Sequence, residues 1–507
     1  MKRNIRITRT KVRAKTKYAP WLILCILLDI LAIALIPLNM LYMSLPEWIT
    51  VIFAALVLFS SVLLWIKGTR HKVINVFISL LCLLAMCFTL FGAYCNPYWN
   101  NLFFRTNADA YSRPYNETVS GKEAKQDLDY AVKYLQKCHP ALIHGLPSDI
   151  SEKVQKTSEE LLQLDTITVN ALSVKIQQIF SMLSDGHTYA ADNCPDRHYL
   201  KETHSHNEAG DTLTKVNGKT IGELFKDKSD LYSFEAESYG LVRMKDDLGT
   251  LEGLDYLGIS VSQGVVFVYE TKDGEEKEFT YFEEDFVLYD EYLRYNNMEA
   301  SDSEQKSFVY YEVQKERNLA VLTLDSCIYN DEYIKCLKEM FTEVKAQGIE
   351  NVCVDLRSNG GGTSLVANEF IKYLDVPSYK DMGMVWRLGC FEIGFEGAET
   401  ENPRYTDLLF NGNVYMLTSY YTFSSAMDFT QYITDNGLGT VIGEPCGNSP
   451  NGYGEITLFK CPNSQIAFQI STKKWTRIDK ENTDLLLQPD IECEADKALD
   501  RLYEIIA

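Results

Sequence analysis

The second half of the chain alternates strand-like and helix-like segments, and this alternation constrains the fold more than any other feature. Short apolar runs and segments with helical spacing follow one another over strand 318–324, helix 331–346, strand 352–356, helix 364–374, strand 413–419, helix 424–436 and strand 439–443. Continuously apolar strands separated by helices are typical of a parallel sheet covered on both faces. The sequence therefore predicts an α/β core over residues 311–507, with ligands bound at the carboxyl ends of its strands.

Three apolar runs fill the first hundred residues, at 21–43, 48–66 and 73–95. Each approaches or exceeds the roughly 20 residues that a helix needs to cross about 30 Å of hydrocarbon, so we predict three transmembrane helices over residues 1–95. Basic residues precede the first run and lie between the second and third. This bias predicts a multi-pass plasma-membrane protein with a cytoplasmic N-terminus, an extracytoplasmic remainder and the lipid bilayer as a partner. A signal peptide is the alternative for the first run, which the two further runs disfavour.

The charge balance excludes one class of partner. The chain has 49 Lys and Arg against 70 Asp and Glu, a formal net charge of −21, and the segment before the first apolar run is entirely basic in its charged residues. So acidic a chain repels nucleic acid, and we predict no nucleic-acid partner. Thirteen cysteines would permit disulfides outside the cytoplasm, but their connectivity cannot be read from sequence. No CxxC pair is present, so neither a metal nor a cofactor is predicted.

The middle of the chain divides into three predicted parts. Residues 96–121 are predicted to be a linker, and residues 122–200 a helical cap with helices at 122–138, 150–164 and 170–183. Residues 201–310 are predicted to form a small β-rich insert. Asn217-Gly218 between two short apolar pieces indicates a hairpin within it.

Two segments of the core carry the residues of an acyl-transfer site. Ser424 follows a predicted strand and opens a predicted helix, where free N–H groups and the helix dipole stabilise negative charge. The alternative is that Ser424 is only an N-cap. Asn359-Gly360-Gly361-Gly362 follows another strand, and its glycines would let backbone N–H groups approach a developing oxyanion. A tight turn or a phosphate loop is the alternative, but no Gly-Lys-Ser/Thr follows.

A serine nucleophile needs a base, and histidine is the most plausible one because the loop 443–455 contains no lysine. His187 closes the turn SDGHT, where a lone histidine is usually a satisfied polar residue. His139 and His144 flank Pro140 and suggest local packing or capping. His198, His204 and His206 lie in a polar stretch that favours a solvated loop over a metal site. The group that would orient the base stays open among the carboxylates Glu481, Asp484 and Asp490.

Taken together these segments resemble the family of C-terminal-processing (tail-specific) serine peptidases. The resemblance is carried by DLRSNGGG at 355–362, TFSSAMDFTQYITDNGLGTVIGEP at 422–445 and LQPDI at 487–491. The His-Pro pair and SDGHT resemble the tricorn-like branch. The resemblance implies a crotonase-like α/β core with a helical cap and a small β-rich, PDZ-like insert.

The resemblance also implies roles for individual residues. Ser424 matches the nucleophile, His187 the base and Glu481 the third member of the triad, whereas Gly360, Gly361 and Ser425 match the oxyanion hole. The chain departs from the family pattern at Ser449, where many members have lysine, and at Met427, where a glutamate is usual.

The implied activity is that of a serine endopeptidase acting on peptides, unfolded proteins or exposed protein tails. The oligomeric state is left open by the sequence. The alternative is a catalytically silent relative that binds a peptide or lipid, or that acts as a sensor.

Overall fold

The computed structural model describes residues 19–32, 34, 47–67, 71–95, 113–191, 197–201, 211–295 and 307–507. Three N-terminal helices, α1 (19–32), α2 (Glu47–Lys67) and α3 (Lys72–Cys95), pack on one another through Cys25, Val57, Leu64 and Cys82. No helix in this described part of the chain is both long enough and apolar enough to cross a membrane. The three predicted transmembrane helices are therefore not supported. Part of the first predicted span, and the basic tail before it, lie outside the described residues.

The part of the chain predicted as a helical cap contains three α-helices. Its elements are β1 (Thr118–Ser120), α4 (Gly121–Cys138), α5 (Ser148–Leu162), β2 (Thr166–Thr168), α6 (Val169–Phe180) and β3 (Tyr189–Ala191). Helix α4 begins where it does because Ser120 and Glu123 form a capping box, which satisfies N–H groups at the start of the helix. Strand β1 lies within the predicted linker and pairs with β2.

The insert contains the predicted hairpin and further helices that were not predicted from sequence. Its elements are β4 (His198–Leu200), β5 (Thr212–Val216), β6 (Lys219–Thr220), α7 (Ile221–Lys228), α8 (Glu237–Leu248), α9 (Leu251–Tyr256), β7 (Val265–Glu270), β8 (Glu276–Tyr281), β9 (Phe286–Leu288) and α10 (Tyr289–Tyr295). Asn217 and Gly218 both have positive φ, as a two-residue hairpin turn of this kind requires. His198 pairs with Glu252 at 2.8 Å, and His204 and His206 lie outside the described residues.

The core is a six-stranded sheet in the order β10-β11-β12-β17-β18-β21. These strands are β10 (Val309–Gln314), β11 (Leu319–Leu324), β12 (Asn351–Asp355), β17 (Asn413–Thr418), β18 (Thr440–Gly443) and β21 (Ile491–Glu492). All neighbours from β11 onward are parallel, and β10 is an antiparallel edge. Helices cover both faces, namely α11 (Asp331–Gln347), α12 (Leu365–Ile371) and α13 (Ser425–Thr434) on one and α14 (Ala498–Ile506) on the other. The predicted α/β core is thus confirmed.

A second sheet, which was not predicted from sequence, joins the cap to the core. It consists of β14 (Gly383–Leu388), β15 (Phe391–Phe395), β19 (Tyr453–Lys460) and β20 (Ala467–Thr476), all antiparallel, while β13 (Ser378–Lys380) and β16 (Glu399–Glu401) form a separate pair. Strand β3 of the cap pairs with β20. This pairing brings residues 187–191 of the cap against the core. All eleven cysteines whose side chains the structure describes are free thiols.

Candidate active site

Ser424 stands in the sharp turn between β17 and α13. Its backbone has φ +54° and ψ −127°, a conformation that residues other than glycine rarely adopt. The Ser424 N–H donates to Asn448 Oδ1 at 2.7 Å, which helps to hold the turn. The Ser424 side chain makes no capping hydrogen bond to α13. The interpretation of Ser424 as an N-cap alone is therefore wrong, because its hydroxyl is not used for that purpose.

The glycine loop lies directly against Ser424. The Asn359 side chain donates to Leu324 O and accepts from the Gly361 N–H, both at 2.8 Å. Because its N–H is already used in this way, Gly361 is not available as the predicted oxyanion donor. The N–H groups of Gly360 and Ser425 donate to no group in the described chain. Of the three residues predicted to form the oxyanion hole, Gly360 and Ser425 therefore have a free backbone N–H beside Ser424.

Gly361 contributes by its lack of a side chain. It has φ +106°, and a Cβ there would lie 2.6 Å from Ser424 Cβ and 2.8 Å from Phe423 O. We expect Gly361→Ala to lower kcat/KM at least tenfold and to lower the Tm, since the alanine both strains the backbone and displaces Ser424. Gly437→Ala is the matched control, because Gly437 also has positive φ but a Cβ there would meet no atom within 4 Å. Equal kinetic losses in the two variants would contradict this account.

His187 reaches the site from the turn between the cap helices and β3. Gln469 of β20 donates to its carbonyl at 2.8 Å, which fixes the turn to the second sheet. The imidazole lies 4.5 Å from the Phe423 ring, centroid to centroid. Burial lowers the pKa of His187 below its ordinary value, although the nearby Asp185 opposes the shift. The structure therefore favours a neutral imidazole, the form that can accept a proton.

Asp185 is the carboxylate next to that imidazole. Its Oδ1 lies 3.8 Å from His187 Nδ1 and accepts the His187 backbone N–H at 2.9 Å. Its Oδ2 lies 3.1 Å from His139 Nε2. The Ala141 N–H donates to His139 Nδ1, so the His139 proton is on Nε2 and is donated to Asp185. Burial alone would raise the pKa of Asp185, but the hydrogen bond from His139 lowers it to about 2. Asp185 is thus a buried, ionised carboxylate, and sequence reasoning had placed His139 only in local packing or capping.

Glu481, the predicted third member, lies elsewhere. It is exposed on the loop after β20 and does not line the cleft that holds Ser424. The physical reason is that Arg477 pairs with Asp435 at 2.9 Å, which ties this loop to the C-terminal end of α13, whereas Ser424 is at the N-terminal end. A ten-residue helix separates its ends by about 15 Å. The assignment of Glu481 is therefore corrected.

A second carboxylate near His187 comes from the insert. Glu235 Oε2 accepts the Gly186 N–H at 3.2 Å, and one side-chain ligand atom from each of Asp185, His187 and Glu235 lies within 4.8 Å of the others. Burial, followed by the charge of Asp185, raises the pKa of Glu235 well above its ordinary value. No sequence signal pointed to Glu235, because it lies 48 residues from His187 in a segment predicted only as β-rich.

Ser424 and His187 line one cleft of about 1070 Å³ between the carboxyl ends of the parallel strands and the second sheet. Trp386, Phe395 and Trp475 form an aromatic wall along it. Lys473 also lines the cleft and pairs with Glu455 at 3.2 Å, so the cleft holds a lysine that was not considered as a base from sequence. Ser424 and His187 form no hydrogen bond with each other in this structure.

Asp428 lies one turn along α13 from Ser424, next to Met427, where the family pattern has a glutamate. It is buried, and Ser364 Oγ donates to its Oδ2 at 2.9 Å. Burial raises the pKa of Asp428 from 3.8 to about 7, against the effect of the Ser364 hydrogen bond. Because the acid form is favoured in the folded protein, this carboxyl group stabilises the fold at low pH, and that stabilisation is lost as the pH rises through about 7.

We therefore expect Asp428→Asn to raise the free energy of unfolding, relative to the parent, by more at pH 8 than at pH 4. The amide cannot ionise and can still accept from Ser364. The pH-dependent gain in unfolding free energy is expected to reach up to about 4 kcal/mol, from the pKa difference. Thermal and urea unfolding of both proteins at the two pH values measures it. The same pH dependence in parent and variant would show that Asp428 is ionised in the folded protein at neutral pH.

The site and the comparisons define the class as a serine-type peptidase. Residues 292–493 match the model of peptidase family S41, about two fifths of the chain. The match contains Ser424 and the glycine loop, whereas His187 and Asp185 lie before it. A search of curated proteins gave no match.

Among the solved structures that are similar in fold are two of CPAF. A mutant of CPAF is 12% identical with a TM-score of 0.54, and the alignment covers 76% of this chain and 95% of that one. Mature CPAF complexed with lactacystin is 11% identical with a TM-score of 0.52, covering 76% and 97%. At these identities the likeness shows the shared fold.

Proposed function

We propose that the protein hydrolyses peptide bonds through an acyl-enzyme formed on Ser424. The observation that carries this proposal is the cleft in which Ser424, His187 and the free N–H groups of Gly360 and Ser425 come together from distant segments of the chain. A nucleophile, a base and oxyanion donors around one cavity are the parts that acyl transfer requires.

The mechanism assigns one task to each residue. His187 accepts the Ser424 proton as Oγ attacks the peptide carbonyl, and Asp185 stabilises the resulting imidazolium. The N–H groups of Gly360 and Ser425 donate to the oxyanion. His187 returns the proton to the leaving amine, and water then hydrolyses the acyl-enzyme. The His187 ring and Ser424 form no hydrogen bond in this structure, and we assign their approach to substrate binding, since catalytic hydrogen bonds are often formed only in the substrate complex.

The shape of the cleft supports peptides or unfolded chains as substrates. Its volume accommodates several residues of an extended chain, and the aromatic wall of Trp386, Phe395 and Trp475 would bury apolar side chains beside the reacting carbonyl. An endopeptidase of the tail-specific, tricorn-like kind fits these features. Action outside the cytoplasm at the plasma membrane stays a prediction.

One observation favours a second candidate, a relative that binds peptides without cleaving them. The His187 ring and the Ser424 hydroxyl form no hydrogen bond with each other, so the proposed nucleophile and base are not engaged in this structure. The two functions are separated by incubating the full chain with a mixed peptide library and analysing the products by mass spectrometry. Lys460→Ala is the control and should cleave like the parent, because Lys460 does not line the cleft. Peptides that are retained by the parent but never cleaved would establish the binding function instead.

A further inference from the structure

Asp185, His187 and Glu235 form a cluster in which two buried polar atoms make no hydrogen bond. His187 Nδ1 and Glu235 Oε1 are both shielded from solvent and have no hydrogen-bond partner. The His187 side chain is only 10% exposed. A buried polar atom without a partner is costly, so two of them in one cluster call for an explanation.

The chemical composition of the cluster, two carboxyl groups beside one imidazole, points to a cation. Asp185 and Glu235 lie side by side, and neither pairs with a lysine or arginine in the part of the chain that the structure describes. His139 donates to Oδ2 of Asp185, and the Gly186 N–H donates to Oε2 of Glu235. Each carboxyl group is thus oriented by a donor on one oxygen, as supported metal ligands are; Asp185 Oδ1 also accepts the His187 backbone N–H, whereas Glu235 Oε1 has no partner.

We propose that Asp185, His187 and Glu235 bind Zn²⁺, and that the bound ion inhibits the peptidase by occupying His187. One imidazole and two carboxylates suit Zn²⁺, which prefers nitrogen and oxygen ligands in tetrahedral geometry with one position left for water. Tetrahedral ligands at about 2.1 Å from the ion lie roughly 3.4 Å apart. The 3.8 Å between His187 Nδ1 and Asp185 Oδ1 needs only a small contraction to meet that value. The inhibitory half of the proposal rests on the proposed function of His187.

No metal was predicted from sequence, because CxxC pairs and neighbouring histidines are the patterns that spacing can reveal. This site is different, since two ligands come from the turn SDGHT of the cap and the third comes from the insert. Only the fold brings them together.

The binding is tested by calorimetry with ZnCl₂ alone, on full-length protein first stripped with EDTA and dialysed. We expect one ion per chain in the parent and in Ser424→Ala, and at least tenfold weaker binding in Glu235→Gln. Glu481→Gln is the matched control and should bind as the parent does. Glu235→Gln keeps an acceptor for the Gly186 N–H, and its Tm establishes that it is folded. Co²⁺ absorption in the visible range provides a second readout of tetrahedral ligation.

The outcomes separate the two parts of the proposal. No binding by the parent, or equal binding by Glu235→Gln, would overturn the site. Binding that leaves peptide cleavage unaffected would overturn the inhibition. Binding by a protein that cleaves no peptide at all would leave the metal site supported and count against the proposed function alone.

Discussion

Ser424→Ala is expected to lower kcat for peptide hydrolysis by about 10⁴-fold or more, because the variant has no nucleophile and only the oxyanion donors and substrate binding remain. The fold should persist. The Ser424 hydroxyl makes no capping bond, and the Asn448 contact uses the backbone N–H, which alanine retains. Initial rates on a peptide identified from the library, together with a Tm within a few degrees of the parent, measure both expectations.

The neighbouring hydroxyl provides the control for this result. Ser425 Oγ donates to Gly362 O at 3.1 Å, so it is engaged in the loop that surrounds the site. Ser425→Ala retains the proposed oxyanion N–H and should keep measurable turnover. If Ser424→Ala retained turnover while Ser425→Ala lost it, the nucleophile would be reassigned to Ser425.

Asp185→Asn is the second variant for which we expect a large loss of kcat. An amide cannot stabilise the imidazolium of His187 as a carboxylate does, so kcat is expected to fall by about 10²- to 10⁴-fold with KM little changed. The carboxylate is fully buried and bonded to His139, which makes its charge effective at short range. Steady-state kinetics of parent and variant on one peptide measure the change.

Glu481→Gln distinguishes Asp185 from Glu481, the residue implied by the family resemblance, as the carboxylate that stabilises the His187 imidazolium. Glu481 is exposed and lies at the loop tied to the far end of α13, so its variant should match the parent in kcat and KM. A severe loss in Glu481→Gln together with a mild one in Asp185→Asn would restore Glu481 as the orienting residue.

The sequence was sufficient for strands β11, β12, β17 and β18, for helices α11 to α13 and for the two loops that line the cleft, but not for β10, β21 or α14. Strands β11, β12, β17 and β18 are largely apolar, and α11 is flanked by Asn330 and Gly348, both typical cap residues. The predicted bounds of these strands and of α11 therefore differ from the observed ones by a residue or so. Ser424 and Gly360 could be placed because the carboxyl ends of neighbouring parallel strands must meet at one edge.

The rest depended on contacts between segments far apart in the chain. Strand β14 and its neighbours in the second sheet mix polar, aromatic and glycine residues, so no clean alternation marked them. That sheet is what carries His187 and Asp185 to the core through the β3–β20 pairing. Family resemblance therefore selected Glu481 as the triad carboxylate, whereas the fold brings Asp185 and Glu235 to the imidazole.

The most direct test of the central claim is covalent labelling of the full-length protein with a fluorophosphonate, followed by peptide mapping. We predict one label per chain on Ser424, at a rate that His187→Ala lowers by at least 10²-fold. The same treatment of Ser424→Ala should give no label. A label on another residue, or a labelling rate independent of His187, would contradict the assignment of Ser424 and His187 as nucleophile and base.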